Sequence, residues 1–141
     1  MKLLFFLISF SFSCLNSSAN SQKYFTTDKK IIVISVNEKG QAFIGKDSFD
    51  MEGLTEELHQ RLWKSYLGTS KMQDEIKLEF TTAVSSDIKK NSIEAIRKAQ
   101  QTTLIDLSLQ LHKKRFEDLT AKQQEKIKTK YPILFQIKFF E

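Results

Sequence analysis

The side chains in this chain that could do chemistry are few, and each lacks the neighbours its chemistry needs. His59 and His112 lie far apart, and neither has a Cys or a second His at the spacing a zinc site uses. Both are expected to be surface or structural histidines. Ser85-Ser86 stands outside any G-x-S-x-G context, the turn that lifts a hydrolase serine out of a strand-to-helix elbow. A helix-capping role fits it better. The neighbouring acids Glu56-Glu57 and Glu117-Asp118 have the makings of an acid–base pair. Acids at the start of a helix more commonly complement its dipole. The chain has four glycines and no glycine-rich phosphate loop. These features predict a protein that is not an enzyme and that uses no cofactor and no metal.

The elements that hold these residues read as follows. Ile31-Ile32-Val33-Ile34-Ser35-Val36 is β-branched at nearly every position, the composition of a strand. It is apolar on both sides, which places it centrally. Asn37-Glu38-Lys39-Gly40 forms a turn in which Gly40 is free to take positive φ, and Gln41 to Ile44 returns as the second strand of a hairpin. Gly45-Lys46-Asp47 turns the chain again, and Asp50 is placed to cap a helix. Leu54, Leu58, Leu62 and Tyr66 form one apolar stripe on that helix, widened by Trp63, and Gly68 stops it. Ile76 to Phe80 alternates apolar with charged residues, the pattern of a half-buried strand. Ser86 is expected to cap a second helix with Ile88, Ser92, Ala95, Ile96 and Ala99 inside. Ile105, Leu107, Leu109 and Leu111 alternate with polar residues and predict another strand. Thr120 and Gln123 have capping-box spacing for a helix over 121–131 that Pro132 ends. A final apolar strand is expected at 133–140.

The expected fold class is therefore α+β, with one mixed sheet of about five strands, two main helices on one face and the other face wet. The Ile133–Phe140 stretch is the candidate interaction element. Ile133, Phe135, Ile137 and Phe139 would present one side of a strand able to lie at an edge and pair with a second chain. A place inside the monomer's own sheet is the alternative.

The first residues point to export. Lys2 precedes the apolar run Leu3 to Phe10, and small residues follow at Ser17-Ser18-Ala19, the layout of a secretory signal. The run is shorter than the roughly 20 apolar residues that span a membrane. Three readings stay open: cleavage after Ala19, lipidation at Cys14 behind the imperfect lipobox Ser11-Phe12-Ser13, or an uncleaved anchor. The corresponding division is 1–19 as signal peptide (or a lipoprotein signal to 13), 20–30 as linker and 31–141 as one folded domain. Cys14 is the single cysteine, so no internal disulfide can form and packing alone must stabilise the fold. The formal net charge is +5, but the basic residues are scattered among acids rather than gathered in a stripe with aromatics. Nucleic acid is not an expected partner.

The hairpin over Ile32–Ile44, the helix opening Gly53-Leu54-Thr55-Glu56-Glu57-Leu58, the segments Ile76–Thr82, Ile88–Ala99 and Leu104–Leu111, and the tail Phe116 to Lys128 with Pro132 occur in an order that resembles the periplasmic domain of the ExbD/TolR family. The resemblance implies a non-enzymatic periplasmic coupling or scaffold domain, linked to TonB- or Tol-type energy transduction and biopolymer transport. It further implies a homodimer, with TonB-like or TolA-like proteins and motor subunits as partners. One departure is large. Family members carry a transmembrane helix with an essential Asp, whereas Leu3–Leu15 contains no acid and the first Asp is Asp28. Proton handling within a membrane needs an ionisable group there, so the expected role is to bind or regulate, as a free or lipid-tethered domain. The alternative is a secreted or lipid-anchored binding module that shares only the fold.

Overall fold

A computed structural model describes residues 28–81 and 83–140. The expected signal segment, Cys14 and most of the expected linker lie outside the described residues. Among those described, four strands and three α-helices run in the order β1 (Ile31–Val36), β2 (Ala42–Ile44), β3 (Asp47–Phe49), α1 (Met51–Thr69), β4 (Glu75–Phe80), α2 (Ser86–His112) and α3 (Ala121–Lys130). Single 3-10 turns at Phe116–Asp118 and Pro132–Phe135 flank α3. The class is α+β, and the sheet is mixed with strand order β3-β2-β1-β4. The β1–β4 pair is parallel, and β2 runs antiparallel to both β1 and β3.

Local chemistry explains the first half. The Asn37 side chain accepts from the backbone N–H of Lys39 (3.0 Å) and Gln41 (2.9 Å), while Gly40 adopts φ 75°, so the β1–β2 turn closes on itself. Gly45 at φ 66° turns β2 into β3, a short edge strand absent from the expected set. Asp50 caps α1 through a 2.7 Å bond from the Gly53 N–H. A Cβ at Gly53 would stand 3.0 Å from that same Asp50 oxygen, so this glycine keeps the cap tight. Leu54, Leu58 and Leu62 are buried as the stripe requires. The helix ends at Ser70, which takes the left-handed cap at φ 55°, rather than at Gly68.

Both long helices cover one face of the sheet. Ile32, Ile34, Val36, Ile76 and Leu78 point into that layer, where they meet Leu54, Leu58, Leu62, Ile96 and Leu107. Burying each such side chain is worth about 1.5–3 kcal/mol, and with no disulfide this layer supplies the stability. The period-2 rule sends Ile31, Val33, Ser35, Glu75, Lys77 and Glu79 to the opposite face, which stays open. Ile31 and Val33 are 44% and 41% exposed there.

Three expectations about strands are corrected. Among the described residues the sheet has four strands, not about five. Ile105–Leu111 is not a strand: it is the last part of α2, which runs unbroken from the Ser85 cap to His112. No Gly or Pro interrupts that run, and once nucleated a helix propagates at little cost per residue. Leu107 turns inward, while Ile105, Leu109 and Leu111 are left exposed. Ser85 rather than Ser86 provides the cap, its Oγ accepting from the Ile88 N–H at 3.3 Å. Ser92, Ala95, Ile96 and Ala99 are buried as expected, with Ile88 half-buried. The capping box of α3 forms as the spacing predicts, with Thr120 and Gln123 bonding reciprocally. Pro132 follows directly, and the third correction lies beyond it. Ile133–Phe140 is a 3-10 turn and an extended tail, not a strand.

Candidate functional site

The four candidate residues of the tail do not share a face. Ile133 and Phe139 are buried, Phe135 is half-buried against Phe116 (ring centroids 5.5 Å apart), and Ile137 is 72% exposed. The cause is the path of the backbone. Gln100, on α2 and nearly fully buried, donates through Nε2 to the carbonyls of Ile133 (2.6 Å) and Gln136 (3.1 Å). This bends the chain around the helix. The Gln136 side chain then takes the place a neighbouring strand would have at the outer edge of β4. Its Oε1 accepts from the Ile76 N–H at 2.9 Å, and its Nε2 donates to the Ile76 carbonyl at 2.7 Å. One backbone bond, from the Leu78 N–H to the Phe139 carbonyl at 2.7 Å, continues the cover. An amide side chain carries the same donor and acceptor as a peptide unit, which is why a glutamine can stand in for a strand residue. The tail thus blocks this sheet edge within its own chain, without being the strand that either expectation required.

A second cluster joins residues that sequence spacing kept apart. α1 and α2 pack side by side in the same direction, and at one end the Thr55 hydroxyl is shared between the Met51 carbonyl of its own helix (3.0 Å) and the Ala95 carbonyl of α2 (3.2 Å). One turn further on, His59 lies between them. Its Nδ1 is 2.9 Å from Thr103 Oγ1, and its Nε2 is 3.2 Å from Asp106 Oδ2. Hydroxyl, imidazole and carboxylate in a line have the layout of a nucleophilic triad, yet the surroundings oppose that use. Thr103 is 0% exposed, and its hydroxyl also bonds the Ala99 carbonyl at 2.8 Å. The order is also inverted: the carboxylate, not the hydroxyl, sits at the solvent side, 39% exposed against 22% for the His59 side chain. The cluster is a polar tie between helices. Thr103 has one hydroxyl proton to share between Ala99 and His59. A neutral ring with its proton on Nε2 donates to Asp106 and accepts a hydrogen bond from the Thr103 hydroxyl at Nδ1. A doubly protonated ring donates to both neighbours, and the Thr103 hydroxyl then donates to the Ala99 carbonyl. The signal in the sequence was the spacing of Thr103 and Asp106 within one helix turn, hidden because 105–111 reads as a strand.

His112 does not join this cluster; its Nδ1 lies 3.4 Å from the Gln123 amide of α3. Glu57 pairs with Arg61 at 2.6 Å on the surface of α1. Glu117 and Asp118 are exposed in the 3-10 turn before α3. Among the described residues, no group of three or more His, Cys, Asp or Glu is placed to hold a metal ion, and no helix is long and apolar enough to cross a membrane.

No family model, no curated protein and no solved structure matches this chain.

Proposed function

We propose that this chain is a non-enzymatic coupling or scaffold domain of the ExbD/TolR kind, working on the exported side of a bacterial inner membrane. The observation that carries the reading is the order hairpin, helix, parallel strand, helix, with both helices on one sheet face. Apart from the added short strand β3, that order is the one the resemblance gives from Ile32 to Ala99. The open sheet face adds support, because it keeps Ile31 and Val33 accessible to a protein partner. The triad-like cluster adds nothing to an enzymatic alternative, since Thr103 is closed off. Its partners would be TonB-like or TolA-like proteins, motor subunits and a second copy of itself. With no acid in Leu3–Leu15, the chain would bind or regulate rather than conduct protons.

The test is cross-linking in the envelope of the native host, followed by purification through a C-terminal tag. Recovery of motor subunits or a TonB-like protein is expected. A protein that stays in the cytoplasm, or a deletion strain with normal outer-membrane uptake and envelope integrity, would overturn the reading. A second reading, a secreted or lipid-anchored binding module, is favoured by one observation: α2 continues through Ile105–Leu111, where the resemblance places a strand. Ligand-dependent thermal stabilisation in the absence of any motor partner would select it.

A further inference from the structure

We propose that the first half of β1 is a binding site for an extended acidic peptide, which adds as a short antiparallel strand in line with β2. This site stands independently of the coupling reading. β2 pairs with β1 only at Ser35↔Phe43 and Val36↔Ala42, because Gly45 then turns the chain away. From Ile31 to Ile34, no described strand occupies that side of β1. Backbone direction follows from the bonds already made. Lys30 and Val36 direct their carbonyls towards β4, accepting from Asp74 (2.8 Å) and Thr81 (3.0 Å), while Asn37 donates towards β2, to Gln41 (3.0 Å). Even-numbered residues therefore bond β4, and odd-numbered ones face β2. Val33 presents both its N–H and its C=O to the vacant lane, the two-bond pair that an antiparallel partner closes.

The surroundings select the occupant. A cleft of about 650 Å³ lies here, walled by Ile31, Val33, Ile44, Arg61, Lys64 and Gln73. Ligand clefts commonly run roughly 300–1,000 Å³. Gln73, one of the lining residues, has a buried Oε1 without a hydrogen-bond partner, the one such side-chain atom among the described residues. The described lining carries two cations and no carboxylate. Arg61 is already engaged by Glu57 (2.6 Å) and more loosely by Asp47 (3.9 Å), whereas Lys64 contacts the neutral Gln60 amide at 3.4 Å. Opposed residues of an antiparallel pair share a face. The peptide residue opposite Val33 would join the open face, and its two neighbours would point to the helix side, where Arg61 and Lys64 stand. An apolar residue flanked by acids fits this lane.

The experiment uses the full chain and two capped seven-residue peptides, one alternating Glu with Val and one alternating Lys with Val. Amide exchange and chemical shifts are followed by NMR. The Glu/Val peptide is expected to slow exchange at Val33 by about tenfold or more and to shift Ile31 to Ile34. The Lys/Val peptide should do neither. Lys64→Glu should weaken the Glu/Val peptide and leave the melting temperature unchanged. Equal binding of both peptides, no effect at Val33 at saturation, or a Val33 amide already protected in the free protein would each overturn the proposal. These measurements involve no envelope partner, so their failure and that of the coupling reading are separate events.

Discussion

The sheet meets its surroundings in two opposite ways at β4 and at β1. Along the outer edge of β4, the Gln136 carboxamide and the Phe139 carbonyl occupy the positions of a missing strand. Along the first half of β1, on the β2 side, no described segment does so. The difference lies in what the chain has to spend nearby. Behind β4 stand α2, with Gln100 on its inner face, and a tail whose apolar residues bury themselves beside it. Beside the first half of β1 the described residues supply no strand, because the tight turn at Gly45 leads β2 away. An unpaired edge invites association. Closing the β4 edge leaves two places among the described residues for such association, the lane beside β1 and the short outer side of β3.

The largest expected effect comes from removing the cover. Deleting residues 133–141 strips Ile133, Leu134 and Phe139 from the core, and cooperative thermal unfolding should disappear in calorimetry. A truncate that melts normally would mean the tail is an accessory. Gln100→Ala should cost about 2–3 kcal/mol in urea unfolding, since it strands the Ile133 and Gln136 carbonyls and leaves a gap. Gln136→Ala should cost about 1–2 kcal/mol. It should also raise amide exchange at Ile76 more than at any residue of β1, making the two edges alike. A uniform rise across the sheet would show that Gln136 acts on global stability and not on one edge. His59→Ala removes the tie between α1 and α2, for about 1 kcal/mol of stability. Thr120→Ala, which breaks the capping box far from both edges, should cost about 1 kcal/mol or less and leave the exchange pattern of the sheet unchanged.

Much of the framework between Ile31 and Ala99 was legible because local and tertiary demands agree there. The β-branched run is a strand, the leucine stripe a helix, and Asp50 a cap. β3 was missed because Ser48 and Asp47 lack strand character; a three-residue edge strand is held by its hairpin geometry and not by propensity. Ile105–Leu111 misled because a short apolar alternation fits either period. The contacts of Leu107 and Ser108 with the core decided for the helix. The tail misled in the same way. Its hydrophobicity is that of a strand, but the Gln100 bonds and the Gln136 side chain set its path, and neither pairing leaves a mark at short sequence range. The His59 cluster depends on helix packing, so its members could not be matched from spacing while 105–111, near the end of α2, reads as sheet. The open lane beside β1 was equally invisible, since it exists only because β2 stops at Ile44.

Residue-resolved hydrogen exchange of the full-length protein tests the asymmetry most directly. We expect slow exchange at Ile76 and Leu78, whose amides are covered, and exchange at Val33 faster by about two orders of magnitude under the same conditions. Val33 as slow as Leu78 would show that the β1 lane is already filled, and would contradict the division of the sheet into a closed edge and an open one.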